Sequence, residues 1–149
     1  MQASSNMTRD VIVVPPSIRL DAAWTLMKQA HVRHLPVVRA NALIGILSDR
    51  DILRRGTLDE EGVLHVPENA IVGDAMTQAP VKTCDTTTDI SEIARMMVEE
   101  TIDAVPVVRG LRLVGLVTTT DLLSLLAKGD STHPLPFDFR LIDEHPAIA

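Results

Sequence analysis

Apolar and polar positions run through the same succession of periods twice along the chain. A short β-branched stretch comes first, Val11 to Val14 and again Val81 to Cys84. A helical period follows, over roughly residues 17–30 and 87–100. Leu20, Ala23, Met27 and Ala30 fall on one face at i, i+3, i+7 and i+10, and Ile90, Ile93 and Met97 repeat that face. Helix-start residues precede both: Ser17 after Pro15-Pro16, and the run Asp85-Thr86-Thr87-Thr88. Two apolar strands come next, 35–39 with 43–48 and 105–109 with 113–118. They are joined by turns read as three residues, Ala40-Asn41-Ala42 and Gly110-Leu111-Arg112. A second helix opens near Asp51 and near Asp121. The unit predicted is β-α-β-β-α, twice.

The copies align without a gap at an offset of 70. LPVVRANALIGILSDRDIL (35–53) lies over VPVVRGLRLVGLVTTTDLL (105–123), with Pro36/Pro106, Gly45/Gly115 and Asp51/Asp121 among the identities. A repeat of this kind sets the architecture before any local reading does. The expected fold class is α/β (α+β), with two repeats packed with pseudo-twofold symmetry. Neither copy of about 50 residues buries much surface unaided, so the two are expected to share a core. The boundaries read are repeat 1 over 7–57, an acidic Gly- and Pro-containing linker over 58–74, repeat 2 over 75–128 and a tail over 129–149. Ala70 to Met76 is expected to form a short helical turn. The tail has no repeat partner and holds both phenylalanines, with Pro134, Pro136 and Pro146.

Composition narrows the function. The chain is 46% hydrophobic, enough for a true core, and has no apolar run of membrane-spanning length. The start, MQASSNMTRD, lacks the apolar stretch of a signal peptide. The single Cys84 rules out an internal disulfide. A cytoplasmic protein is expected, with no membrane partner. A net charge of −6 and an aromatic content of 2% argue against nucleic-acid binding. Residues 1–60 carry 8 basic and 6 acidic side chains, against 6 and 14 in residues 61–149.

The chemistry-bearing pattern is Gly-apolar-apolar-Ser/Thr-x-x-Asp, as Gly45 to Asp51 and as Gly115 to Asp121. Two readings stand side by side. Ser48 with Asp51, and Thr118 with Asp121, have the spacing of a capping box that satisfies helix-end amides. The same geometry suits a ligand: a helix N-terminus offers N–H groups to a phosphate, and the carboxylate can accept from a ribose diol. His31 and His34 form an H-x-x-H pair, but zinc sites need three or four ligands and no metal is assigned. Cys84 reads as a buried structural residue, Met27, Met96 and Met97 as core, and Trp24 as a cover for helix packing. No nucleophile–base set is found, so no catalytic residue is assigned.

Each repeat resembles the CBS domain, and the tandem a CBS pair, or Bateman module, over roughly residues 7–127. The residues that carry this are Met7-Thr8 and Met76-Thr77, His34-Leu35-Pro36-Val37-Val38, Ala104-Val105-Pro106-Val107-Val108, and the two Gly-to-Asp motifs. The resemblance implies clefts that bind AMP, ADP, ATP or S-adenosylmethionine as regulatory ligands rather than catalytic cofactors. It puts the ribose on Asp51 and Asp121, with Ser48 and Thr118 as the hydroxyl partners. It puts adenine against Val13, Val14 and Pro15 or Thr83, Cys84 and Asp85. The segment entering the second strand contributes as well: Arg33, His34, Leu35 and Pro36, or Asp103, Ala104, Val105 and Pro106. Arg33, His34 and Arg50 make the first motif the expected phosphate host, whereas the second has Asp103, Ala104 and Thr120. The function expected is an adenosine-ligand sensor that forms a homodimer and regulates an enzyme, channel or transporter. The rivals are a dimerisation module with empty clefts, its hydroxyl–carboxylate pairs serving only as caps, and a small enzyme.

Overall fold

The computed structural model describes residues 7–79, 81–129 and 137–143. The elements in chain order are β1 (Met7–Ile12), α1 (Leu20–Ala30), β2 (His34–Arg39), β3 (Ala42–Ser48), α2 (Asp49–Leu53), β4 (Thr57–Leu58), β5 (Leu64–His65), α3 (Val72–Ala75), β6 (Thr77–Gln78), α4 (Ile90–Glu100), β7 (Ala104–Arg109), β8 (Arg112–Thr118), α5 (Thr119–Ala127) and β9 (Phe137–Ile142). The expected order appears in both copies from the long helix onward; of the two first strands, Val11–Val14 overlaps β1 only at Val11 and Ile12, and Val81–Cys84 forms no strand, Cys84 making a single bridge to Val107. The chain divides into two compact units, one gathering the described parts of Ile12–Val81 and Ile142–Ala149, the other those of Met1–Val11 and Lys82–Leu141. They are called here the Ser48 unit and the Thr118 unit. Strand β1 therefore belongs with residues more than seventy positions downstream.

In the Ser48 unit, β2 and β3 form an antiparallel hairpin, and the short β6 pairs with β3 at Gly45 and Ile46. Val14 lies parallel to β2 through a bridge to Val37. The core comprises Leu20, Ala23, Leu26 and Met27 of α1 with Val14, Leu35, Val37, Leu47, Ile52 and Val72, and Trp24 packs against its edge. The face predicted by periodicity is the one buried. In the Thr118 unit β7 and β8 form the matching hairpin, with Cys84 parallel to β7 through Val107. Ile90, Ile93 and Met97 of α4 pack there with Val105, Val107, Val117, Leu122 and Leu125.

Several boundaries differ from the sequence reading. Helices α1 and α4 begin three residues later than expected, at Leu20 and Ile90, and their N-caps Arg19 and Asp89 make no side-chain capping bond. Asp85 instead organises a turn ahead of α4, its Oδ1 accepting from the Thr87 N–H at 2.8 Å. Both hairpin turns have two residues, not three, because Arg39 faces Ala42 and Arg109 faces Arg112. The register shifts by one between Val37 and Val38, and again between Val107 and Val108. This places a bulge at the same point of each repeat and absorbs the extra residue. Ala40 and Asn41 both take positive φ, 52° and 66°, and Gly110 takes 64°, as tight hairpin turns require. Across the expected boundary between repeat 1 and the linker, β4 and β5 pair as a small hairpin. The short helix expected over Ala70–Met76 is α3. The tail contributes β9, which pairs with β1; Pro134, Pro136 and Pro146 lie outside the described residues.

Cys84 is 6% exposed, and burial, followed by the charge of Asp85, pushes its thiol up to about 12 from 9.0. The folded value lies above the unfolded one, so this contribution to stability is intact below pH 9.0 and is lost as pH rises through about 12. Reaction with a thiol reagent at pH 7 should be slow in native protein and rapid in denaturant. Cys84→Ala should flatten the alkaline part of the stability curve measured between those pH values.

Candidate functional site

The strand-to-helix junctions are the places where sequence and structure both concentrate polar groups. In the Ser48 unit, β3 ends at Ser48, whose extended backbone makes it the N-cap of α2. Its Oγ accepts from the Asp51 N–H at 3.1 Å, and its own N–H donates to Asp51 Oδ2 at 2.8 Å. In the Thr118 unit, Thr118 N–H donates to Asp121 Oδ2 at 2.8 Å and Thr118 Oγ1 accepts from Asp121 N–H at 3.3 Å. Both capping boxes are therefore formed. Each leaves the second carboxylate oxygen, Oδ1, directed to a different partner.

Those partners are arginines that the sequence reading did not single out. Asp51 Oδ1 receives Arg54 Nη1 at 3.2 Å, from the C-cap of the same helix. Asp121 Oδ1 lies 3.3 Å from Arg9 Nη1, on β1. The first pairing had a local signal, since residues three apart on a helix are neighbours. The second had none, because 112 positions separate the two residues in sequence. It changes the electrostatic contrast between the motifs. The second motif lacks the basic residues of the first, yet strand β1 brings it a cation. At the offset of 70 the counterpart of Arg9 is Ala79, whose N–H bonds to the Ile44 carbonyl beside β3.

The other candidate residues fall into two groups. Val13, Val14, Leu35 and Pro36, with Cys84, Ala104, Val105 and Pro106, are buried and offer a ligand only backbone. Some of that backbone is already committed. Val14 donates to the Pro36 carbonyl and accepts from Val38, Val13 donates to Ile142, and Cys84 bonds Pro106 and Val108 in the same way as Val14. Pro15, His34 and Thr83 are half-buried, while Arg33, Arg50, Asp85, Asp103 and Thr120 are exposed. His34 faces Ser48 across the hairpin, and Ala104 faces Thr118. The Arg33 carbonyl accepts from Asp49 N–H and that of Asp103 from Thr119 N–H, both at 3.0 Å. In each unit, then, the segment entering the second strand is tied to the Ser/Thr-x-x-Asp turn. His31 closes α1 in the left-handed region, and among the described residues no group of three His, Cys, Asp or Glu side chains could hold a metal. A cavity of about 630 Å³ in the Ser48 unit is lined by Pro16, Arg39, Ile44 and Asp74 but by none of the candidate residues. Among the described residues no helix is long and apolar enough to cross a membrane.

The repeated junction, its two formed caps and the matched hairpins have a counterpart among known proteins. The sequence profile of the CBS domain matches residues 5–57 and 72–128. The chain belongs to the CBS-domain family. It is 33% identical over 98 residues to the uncharacterized protein YlbB of Bacillus subtilis, a match covering 64% of this chain and 62% of that one. It is also 33% identical over 121 residues to an inosine-5'-monophosphate dehydrogenase of Korarchaeum cryptofilum, covering 80% of this chain but only 23% of the enzyme. The chain thus spans less than two thirds of the length of either relative. Among solved structures, CBSX2 in complex with AMP is similar at 27% identity and a TM-score of 0.67, covering 79% of this chain and 89% of that one. The CBS domain pair of MJ0100, in complex with 5'-methylthioadenosine and S-adenosyl-L-methionine, is similar at 25% identity and a TM-score of 0.66, covering 79% and 92%.

The capping role of the CBS hydroxyls and carboxylates can be measured directly. Thr118→Ala and Ser48→Ala should each lower unfolding free energy by about 0.5–2 kcal/mol, the usual loss for an N-cap. Chemical denaturation with an unchanged slope would identify the effect as loss of stability rather than of compactness.

Proposed function

We propose that this CBS pair is a regulatory module that binds an adenosine-bearing ligand through Asp51 and Asp121. On this reading it changes its packing on binding and works in the cytoplasm on a partner enzyme, channel or transporter. The observation that carries the reading is the repeated junction, in which one carboxylate oxygen holds the helix cap and the other meets an arginine. A carboxylate has about four lone-pair sites, so the cap can persist while Oδ1 exchanges its arginine for a ribose diol. The AMP, methylthioadenosine and S-adenosylmethionine in the similar structures support the same ligand class. A shape change follows only if the ligand favours one packing over another. Catalysis is no part of the proposal: the single thiol is buried and held protonated, and the match to the dehydrogenase takes in 23% of that enzyme.

One observation favours a second reading. Both hydroxyl–carboxylate pairs are satisfied within the chain, as a structural module without a physiological ligand would have them. Melting temperatures measured with AMP, ADP, ATP, S-adenosylmethionine and NAD separate the two. A true ligand at 100 times its dissociation constant should stabilise by about 2.7 kcal/mol, and no shift with any of the five would favour the structural module. Asp51→Ala and Asp121→Ala, titrated separately with ATP, should each remove one binding event. Equal losses of affinity would argue against the Ser48 unit as the preferred phosphate host.

A twofold homodimer is part of the proposal. It is supported by an apolar groove of about 350 Å³ between α4 and α5, lined by Ala94, Met97, Leu122 and Leu126 among others. Val98, Leu123 and Leu126 are exposed there at 79%, 61% and 60%. An exposed apolar face of this kind suits an isologous contact, in which the same patch is used on both subunits. Sedimentation equilibrium should find a dimer that Leu126→Glu converts to monomer.

A further inference from the structure

We propose that the C-terminal strand β9 acts as an intramolecular brake on the Thr118–Asp121 motif. By bracing β1, it holds the Arg9 guanidinium on the carboxylate oxygen that a ligand diol must take. The proposal rests on the adenosine-ligand reading above.

All the contacts lie in the Thr118 unit. Asp121 is 17% exposed, with Oδ2 committed to the helix cap and Oδ1 to Arg9. The next residue of β1, Asp10, is gripped by Arg140 of β9, whose Nε donates to Asp10 Oδ1 at 2.8 Å and whose Nη2 lies 2.7 Å from the same oxygen. The strands themselves are paired. Phe139, the residue before Arg140, packs against the unit's core and lies over Gly115 so closely that a Cβ there would collide with its ring. Gly115 is three residues before Thr118, so β9 is anchored on the strand that carries the motif.

Among the described residues the corresponding motif in the Ser48 unit has no such brace. Its Oδ1 meets Arg54, whose side chain is 74% exposed, against 36% for Arg9. An exposed pair on one helix contributes little and yields readily to a competitor. Arg9 is different because its backbone is ordered by a ladder to another strand. A ligand at Asp121 must displace a partner whose ordering has already been met by folding. Two motifs of the same Gly-to-Asp pattern are thus separated in accessibility by a segment that belongs to neither repeat.

The test is calorimetric titration of the full chain with AMP and with adenosine, which carries the diol without the phosphate. An Asp51→Ala background isolates the second motif. Arg9→Gln and Arg140→Glu should each tighten both ligands about three- to tenfold, the range expected from releasing one or two partly exposed ion pairs. The two changes together should give no more than Arg9→Gln does, because both act through one contact. Phe139→Ala should act in the same direction as Arg140→Glu. Unchanged or weaker AMP binding in Arg9→Gln overturns the brake, as does full additivity of Arg9→Gln with Arg140→Glu. Failure of AMP and adenosine to bind any protein, the unaltered chain included, overturns the adenosine reading and this proposal with it.

Discussion

The two long β-hairpins, β2–β3 and β7–β8, each have a glycine face that their own repeat cannot cover, and the surrounding chain is organised around covering it. At Gly45 the cover is Met76 with the Thr77 carbonyl, which would lie 2.7 and 2.6 Å from a Cβ. At Gly115 it is the ring of Phe139. Glycine is needed at both positions because the covering group presses on the strand where a side chain would stand. A repeat of about 50 residues has too little material to bury both faces of its own sheet. Each hairpin therefore recruits chain from elsewhere. The first recruits the segment leading into the second repeat, and the second recruits the tail.

This recruitment determines the electrostatics of the two CBS motifs. Because β1 lies in the Thr118 unit, Arg9 reaches Asp121 rather than anything near its own repeat. Because β6 lies in the Ser48 unit, Ala79 occupies the corresponding place and brings no charge. The carboxylates are equivalent in their caps, with 2.8 Å bonds from Ser48 and Thr118 N–H. They are inequivalent in what faces their second oxygen. Two carboxylates set by one pattern thereby acquire different partners at their second oxygen.

Much of the local structure could be read from the chain because it depends on short-range physics. The buried face of α1 follows from the spacing of Leu20, Ala23 and Met27, and the capping boxes follow from a hydroxyl three residues before a carboxylate. The errors were local as well. Ser17 and Asp85 have the chemistry of helix-start residues, yet the helices open only at Leu20 and Ile90, and ahead of α4 Asp85 bonds Thr87 and Thr88 instead. The turns were counted as three residues because a bulge inside a strand leaves no mark on a pattern of apolar positions. The eight buried candidate residues show a further limit. The sequence indicates that Leu35 or Val105 is apolar, but not whether its neighbours have already taken its backbone.

The sequence by itself determined the repeat, the fold class, the core faces and the Ser48/Asp51 and Thr118/Asp121 pairs, since all of these rest on residues at most a few positions apart or on copies that can be aligned. Tertiary structure alone decided that β1 lies in the unit of the second hairpin, that Arg9 meets Asp121, and that Phe139 closes over Gly115. Those contacts link residues separated by as many as 112 positions, and no periodicity encodes them. They exist because uncovered strand faces must be buried by whatever chain can reach them.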